Sequence, residues 1–153
     1  MAIPFEEMAR WFAYSIRFQE RFEKRNNFNT KVYRGDVYAC FLGQNIGHEK
    51  SRLEPRPCVV VSIDQINKAS GNIVVVPLSK NIKWKVLTSG KHVPYYDWHY
   101  VLYRGKYPFR YDSVAQCEDI RSISKGRLGK YICHIDSQDM RNLTKRIKRA
   151  LQS

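Results

Sequence analysis

The sequence predicts an α+β protein that is mainly β, a barrel or compact sheet with one helix before it and one after it. From residue 32 onward, short apolar runs alternate with turn residues at a regular spacing, which is typical of such folds. Residues 4–26 and 137–151 instead space their apolar side chains at helical intervals. The 153 residues suffice for one domain that buries a core without disulfides or a metal.

The first segment predicts an amphipathic helix. Pro4 suits a first helical turn, the segment contains no glycine, and the pattern breaks at the asparagines before Thr30. The helical spacing is carried by Phe5, Met8, Phe12, Ile16 and Phe22. We therefore expect residues 1–30 to form a helical extension of a domain that spans residues 31–153.

Three roles are open to this helix: packing over an exposed barrel face, extending a dimer contact, or binding a partner or membrane surface. The side chains available for these roles are Trp11, Phe12, Phe18 and Phe22. Glutamates at positions 6, 7, 20 and 23 dilute the basic face that a membrane-seeking helix carries. This composition favours packing within the molecule.

The body of the chain predicts seven strands and a final helix. The strands fall at about residues 37–42, 58–63, 73–78, 86–89, 101–103, 113–117 and 131–135. Residues 122–128 predict a short helical turn before the last strand. Ser137 is the expected N-cap of the final helix, whose apolar stripe consists of Met140, Leu143, Ile147 and Leu151.

The charge and the cysteines limit the class of protein. A formal net charge of +13 exceeds what solubility requires and favours a polyanionic partner, with nucleic acid first. The four cysteines are widely spaced without a C-x-x-C pair, which indicates reduced thiols in a cytosol. No apolar stretch approaches the length of a membrane span, and acidic residues stand where a signal peptide is basic. We expect a cytoplasmic protein that does not bind membranes.

A polar loop just before a buried strand is the strongest candidate site. Residues 47–57 carry an imidazole, carboxylates and guanidiniums, and they lead directly into the apolar run of residues 58–61. Reactive groups in such a place are both accessible and held by rigid structure.

The order of short motifs in this chain resembles the MazF/PemK (Kid) toxins of toxin-antitoxin pairs. The resemblance covers about residues 32–151 in one consistent order, which makes it far more specific than any single motif. The motifs are Arg34-Gly35-Asp36-Val37-Tyr38, Gly47-His48-Glu49, Arg56-Pro57, Ser62-Ile63-Asp64-Gln65-Ile66-Asn67, Val74-Val75-Val76-Pro77-Leu78-Ser79, Asp112-Ser113-Val114 and Glu118-Asp119-Ile120-Arg121-Ser122-Ile123.

The resemblance implies a small SH3-like barrel with a C-terminal helix that works as a homodimer and cleaves single-stranded RNA, usually mRNA, without metal or cofactor. In the family, the 2′-hydroxyl attacks the neighbouring phosphate and leaves a 2′,3′-cyclic phosphate and a 5′-hydroxyl end. The reaction needs a base, an acid and positive charge at the phosphorane. An acidic, partly disordered antitoxin normally neutralises such a toxin.

The same resemblance marks five candidate catalytic residues, which are Arg56, Ser79, His48, Glu49 and Glu118. Arg56 ranks first because a guanidinium can hold phosphate oxygens in a fork while it stabilises the growing charge. Ser79 stands where relatives commonly carry threonine, and Glu118 where PemK-type toxins carry a proposed general-base aspartate. His48 and Glu49 match the Gly-His-Glu loop of that branch, and the identity of the base stays open. Without the resemblance, Arg56 is a surface arginine paired with Glu54 or Glu49.

Six further residues are candidates for RNA binding, namely Lys50, Arg52, Lys80, Lys83, Gln116 and Arg121. Gln116 stands where the Kid pattern has an arginine offered as general acid, and glutamine cannot supply that proton. Arg121 equally fits a structural ion pair. Tyrosines and Trp98 between residues 95 and 111 could stack on bases, although strands also use such aromatics for cross-strand pairs.

Two other functions are compatible with these features. A non-catalytic nucleic-acid-binding barrel is suggested by Gln116 and Ser79, which replace the usual side chains. Poisoning of DNA gyrase, as by the structurally similar CcdB toxins, rests on the fold alone and ranks below it.

Overall fold

The computed structural model describes residues 5–25, 30–43, 45 and 53–152. Within them lie helices α1 (Phe5–Arg25), α2 (Asp64–Ala69) and α3 (Ser137–Leu151). The strands are β1 (Asp36–Cys40), β2 (Arg56–Val60), β3 (Asn72–Ser79), β4 (Trp84–Val86), β5 (His92–Pro94), β6 (His99–Leu102), β7 (Ser113–Gln116), β8 (Arg121–Ser124) and β9 (Leu128–His134). Two 3-10 turns span Cys117–Asp119 and Lys125–Arg127.

The main sheet is antiparallel in every pairing, with the strand order β6-β7-β3-β2-β1-β9. Strand β3 is the longest and has two partners on one side. Its first half, residues 72–75, pairs with β8, whereas Leu78 and Ser79 at its end pair with β7. Strands β4 and β5 form a separate hairpin. The end of β3 is therefore bordered by β2 and β7.

Two apolar clusters lie on opposite faces of this sheet, as the alternation of side chains along a strand requires. Val59 belongs to a cluster that α3 covers with Met140 and Leu143, whereas the neighbouring Val60 belongs to a cluster with Val75 and others. Both valines are fully buried. The predicted class, a mainly β α+β fold with a C-terminal helix, is confirmed.

Helix α1 packs on the sheet body through Trp11, Phe18 and their neighbours. The ring of Phe18 lies 4.8 Å from the ring of Phe41, and the Arg127 guanidinium lies 5.4 Å above Trp11. Gly43, with φ of +80°, allows the close approach, because a Cβ there would lie 2.2 Å from the indole. Packing within the molecule is thus the role that the structure shows.

The face that α1 uses differs from the predicted stripe. Phe5, Met8, Phe12 and Ile16 are exposed, by 85%, 52%, 70% and 49%. The packed face lies beside them at residues 11, 15, 18 and 22, which are half-buried and border the 3-10 turn Lys125–Arg127; of the predicted stripe, only Phe22 lies on this face. Periodicity predicted the helix correctly but could not tell which half of a broad apolar face is covered.

Several local elements differ from the sequence prediction. The N-cap of α3 is Asp136 rather than Ser137, because the Asp136 side chain accepts a hydrogen bond from the Asp139 backbone N–H at 2.8 Å. Of residues 122–128, which predict a short helical turn before the last strand, residues 125–127 form a 3-10 turn, whereas residues 122–124 belong to strand β8. No helix in the described ranges combines the length and apolarity needed to cross a membrane.

Candidate active site

Arg56 and Ser79 lie side by side at one end of two paired strands. Strands β2 and β3 run antiparallel with Cys58 opposite Pro77, and continuing that register places Arg56 opposite Ser79. The Nη1 atom of Arg56 donates to the backbone oxygen of Leu78 at 3.2 Å. The hydroxyl of Ser79 accepts a hydrogen bond from the backbone N–H of Asn81 at 3.2 Å. The rigid sheet thus holds the two side chains together.

Both residues line a basic groove, which has a volume of about 630 Å³. We call it the central groove; its lining includes Arg56, Leu78, Ser79, Lys80, Phe109, Arg110, Tyr111, Ser113, Lys130 and Tyr131. Four of these carry a positive charge. Among the described residues that line it, none is aspartate or glutamate. The central groove is therefore suited to a phosphate-bearing ligand.

Aromatic rings stand among these cations. The Nζ atom of Lys80 lies 5.1 Å from the ring centre of Tyr111, and the Tyr131 ring meets that of Tyr38 edge-on at 5.4 Å. Burial, with the Asp36 carboxylate, raises the pKa of Tyr38 to about 12, so this phenol stays neutral at ordinary pH. Alternating cations and ring faces are the features with which proteins hold single-stranded nucleic acid.

Glu118 lies outside the central groove, on the 3-10 turn that follows β7. Its carboxylate accepts a hydrogen bond from Nε1 of Trp98 at 2.6 Å and lies 2.8 Å from Nε2 of His99. His99 is buried, and its strand β6 pairs it with Gln116 of β7. No sequence motif marks His99, because only this strand pairing brings it to Glu118.

The other predicted site residues are dispersed. Lys80 lines the central groove, but Lys83 lies over the Tyr95 ring, 4.1 Å from its centre. Gln116 has a buried Oε1 atom that accepts no hydrogen bond within the described part of the chain. Arg121 lies on β8 opposite Val75. His48, Glu49, Lys50 and Arg52 fall outside the described residues.

The structure adds cations that sequence reasoning missed. Arg110 and Lys130 line the central groove together with Arg56, although β9, which carries Lys130, is far from β2 in the sequence. A basic residue adjacent to a tyrosine, as in Arg110-Tyr111 and Lys130-Tyr131, was the available signal. No group of three His, Cys, Asp or Glu side chains in the described ranges is arranged to hold a metal ion.

This fold and this groove define a class: a small, basic, mainly β protein with a positively charged groove at its strand ends. The chain belongs to the PemK-like, MazF-like toxin family of type II toxin-antitoxin systems, whose family model matches residues 33–151. Helix α1 precedes the matched region.

Curated relatives support the same family. The endoribonuclease EndoA of Bacillus subtilis is 32% identical over 109 residues, which cover 71% of this chain and 84% of that protein. The endoribonuclease MazF of Staphylococcus saprophyticus is 30% identical over 115 residues, which cover 74% of this chain and 86% of that protein.

Solved structures support the fold. MazF from Deinococcus radiodurans has a TM-score of 0.60 at 16% identity and covers 78% of this chain and 96% of its own. A mycobacterial endoribonuclease, solved in complex with its cognate antitoxin, has a TM-score of 0.59 at 20% identity and covers 78% of this chain and 94% of its own. At these identities the likeness concerns the fold alone.

Proposed function

We propose that this protein is the toxin of a toxin-antitoxin pair, a sequence-selective endoribonuclease that cleaves single-stranded RNA in the central groove. The observation that carries the proposal is the set of four cations with no acidic neighbour among the described lining residues, grouped around Arg56 and Ser79. The family membership and the endoribonuclease names of the curated relatives support it.

The proposed reaction is a transesterification without metal. The 2′-oxygen attacks the adjacent phosphorus, the bond from phosphorus to the 5′-oxygen breaks, and the products are a 2′,3′-cyclic phosphate and a 5′-hydroxyl end. Arg56 stabilises the charge that grows on the phosphorane. The Ser79 hydroxyl hydrogen-bonds a phosphate oxygen or orients the 2′-oxygen.

Proton transfer requires a group that takes the 2′-proton and one that supplies a proton to the 5′-oxygen. His48 and Glu49 are our candidates, because they precede β2, which carries Arg56. Lys50 and Arg52 extend the same basic segment and would bind RNA beside the site. Glu118 reaches neither Arg56 nor Ser79 through the described contacts, since its carboxylate is bound by Trp98 and His99.

The proposed partners follow from the charge. A net charge of +13 attracts both mRNA and an acidic antitoxin segment, and a segment that covers the central groove would block RNA. As in the family pattern, we propose a cytoplasmic homodimer.

The test is cleavage of a broad panel of RNA sequences by antitoxin-free protein in EDTA, with the ends mapped chemically. We expect cyclic phosphate and 5′-hydroxyl ends. Arg56→Ala should lower the cleavage rate by about 10²–10³-fold, the usual cost of losing one charge-stabilising donor. Lys145→Ala removes an equal charge from the exposed face of α3 and should leave the rate unchanged.

The proposal fails if the folded wild-type protein leaves the whole panel intact, or if Arg56→Ala cleaves like the wild type. The first result, combined with salt-sensitive RNA binding, would support the second candidate, a non-catalytic RNA-binding barrel. That candidate is favoured by one observation: Gln116, which cannot act as an acid, stands where the Kid-type pattern has arginine.

A further inference from the structure

The central groove continues past its cations into a second depression. Lys80 and Tyr111 line both the central groove and an adjoining depression of about 370 Å³. We call the latter the hairpin subsite, because Trp84 of β4 forms part of its wall; its other lining residues are Ile82, Arg104 and Asp112. A strand bound at Arg56 can therefore reach the hairpin subsite across Lys80 and Tyr111 without leaving the surface.

The walls of the hairpin subsite suit a nucleobase. Trp84 and Tyr111 are 38% and 48% exposed, so both present ring surface to solvent. Arg104 and Lys80 supply positive charge beside the rings, as a nucleotide with its phosphate requires. The β4–β5 hairpin holds Trp84 in place by pairing it with Pro94, and Tyr95 N–H donates to the Lys83 oxygen at 2.8 Å. The backbone that carries Trp84 is thus held in place before any ligand binds.

We propose that the hairpin subsite binds one nucleobase of the RNA strand, next to the nucleotides at the scissile phosphate, by stacking on Trp84 and Tyr111. The inference rests on the proposed function, because it takes the cleaved strand as the ligand. It assigns part of the cleavage-sequence selectivity to the β4–β5 hairpin.

Asp112 determines which bases fit. It is the single acidic side chain among the described residues that line the central groove and the hairpin subsite. Its Oδ1 atom accepts the backbone N–H of Arg104 at 3.0 Å, which fixes the carboxylate at the wall. A carboxylate accepts hydrogen bonds from an exocyclic amino group but repels the two carbonyls that flank N3–H of uracil. The subsite therefore prefers guanine, adenine or cytosine over uracil.

Base removal along a mapped substrate tests the stacking. Once the cleavage site is known, synthetic RNAs with one abasic nucleotide at each flanking position are cleaved by wild type and by Trp84→Ala. We expect one position at which base removal lowers the wild-type kcat/KM by about tenfold or more, the usual scale for one stacked base. At that position Trp84→Ala should show little further loss.

Two variants control for damage to the hairpin. Trp84→Phe keeps a ring and should retain most of the wild-type kcat/KM. Val86→Ala changes another exposed side chain of β4 that does not line the subsite, and should match the wild type. The proposal is overturned if Trp84→Ala has the wild-type kcat/KM on every RNA. It is also overturned if Trp84→Ala lowers kcat/KM by the same factor whichever position of the RNA is abasic.

Asp112→Asn tests the base preference. Asparagine can still accept the Arg104 N–H, but it also presents an amide that donates to carbonyls. We expect the preference against uracil at the subsite position to shrink by about tenfold or to reverse. An unchanged preference in folded Asp112→Asn would show that this carboxylate does not read the base.

The two proposals fail in different ways. Cleavage that depends on Arg56 but not on Trp84 would remove only the hairpin subsite. If the wild type cleaves no RNA, the proposed function fails, and the subsite is judged by equilibrium binding of oligo(A) and oligo(U). Trp84→Ala should then weaken oligo(A) binding by about tenfold, and an unchanged affinity overturns the subsite as well.

Discussion

Three arginines show that contacts, rather than residue type, separate site from scaffold in this molecule. Arg34 donates to the backbone oxygen of Val61 and, at 2.7 Å, to Oγ1 of Thr144, and so ties the sheet to α3. Arg127 donates to the Phe41 oxygen at 3.1 Å beneath α1. Arg56 also donates to a backbone oxygen, but it lines the central groove. Of these three, only Arg56 is placed to meet a ligand there.

The contacts of Glu118 predict a structural rather than a catalytic role. Because its carboxylate is engaged by Trp98 and His99 outside the central groove, we expect Glu118→Gln to keep single-turnover cleavage within a few-fold of wild type. Ser79→Ala, inside the groove, should lower it by about 10²-fold. Glu118→Gln should instead lower Tm by a few degrees, since a neutral amide oxygen is a weaker hydrogen-bond acceptor for Trp98 and His99 than a carboxylate.

The opposite result would be equally informative. A large loss of cleavage in Glu118→Gln, with an unchanged fold and Tm, would mean that this carboxylate reaches a scissile phosphate in another copy of the chain.

The sequence predicted Arg56 and Ser79 through motif order, because both stand at the ends of strands whose valine runs are easily recognised. It could not predict that Lys130 joins them or that His99 meets Glu118. Those meetings depend on the pairing of β9 with β1 and of β6 with β7, which no local pattern encodes.

At the scale of elements, the helices owe their positions to particular polar and aromatic contacts. Asp139 of α3 accepts hydrogen bonds from the hydroxyls of Tyr100 and Tyr107 and from Nζ of Lys106 at 2.9 Å. These donors come from β6 and from the segment after it. The cluster therefore links α3 to the segment that ends in the groove wall at Arg110 and Tyr111.

The loss of stability caused by Asp139→Asn should depend on pH. Burial alone would raise the pKa of Asp139, but the hydrogen bonds from Tyr100, Tyr107 and Lys106 outweigh it and hold the pKa below its ordinary value of 3.8. A lowered folded-state pKa stabilises the fold above the ordinary value, and this stabilisation is lost as the pH falls through the folded-state pKa. We expect Asp139→Asn to cost about 2 kcal/mol near pH 7.

The measurement is urea unfolding of both proteins from pH 7 down to pH 3. The difference in unfolding free energy should shrink below about pH 4 as the wild-type carboxylate becomes protonated. A difference that stays constant with pH would show that packing, not ionisation, explains the loss.

Gly43 gives a prediction for the docking of α1. Alanine at this position meets two penalties, a left-handed backbone with φ of +80° and a contact of 2.2 Å with Trp11. We expect Gly43→Ala to cost about 3 kcal/mol of unfolding free energy in the wild-type chain and about 1 kcal/mol in Trp11→Ala. Urea unfolding of the four proteins gives the coupling. Additive losses would contradict the docking of Trp11 on Gly43.

Sequence patterns did not predict the packed face of α1 or the strand β5. Helix α1 was predicted from its periodicity, yet the exposed Phe12 was assigned to its main stripe, because both halves of the apolar face repeat equally well. Strand β5 was not predicted, because the short strands β4 and β5, which pair Val86 with His92, lack the alternating burial by which a strand is recognised. Buried strands such as β2 and β3 were found within a few residues.

The whole molecule combines a matched family domain, residues 33–151, with a helix that precedes it and packs on its surface. Its excess of charge is global, with 27 basic against 14 acidic residues. Many of these cations are already engaged: Lys106 binds Asp136 and Asp139, and Arg146 lies near Asp97. The charge that meets RNA should therefore be much smaller than the net charge.

The salt dependence of RNA binding measures how much of that charge is used. Each phosphate neutralised on a single strand contributes about −0.7 to the slope of log K against log salt. The four groove cations, Arg56, Lys80, Arg110 and Lys130, therefore contribute about −3 to the slope, whereas the full net charge of +13 would give about −9. The probe is an oligonucleotide with 2′-deoxy sugars throughout, which cannot be cleaved by 2′-hydroxyl attack.

Lys130→Ala should reduce the magnitude of this slope by about 0.7, because it removes one groove contact, and the surface variant Lys145→Ala should leave it unchanged. If the two variants change the slope equally, the whole charged surface binds RNA and the central groove has no special part in it. A slope well short of −9 that responds to Lys130→Ala but not to Lys145→Ala means that binding is local. The remaining positive charge then accelerates encounter with RNA or an acidic antitoxin rather than adding contacts.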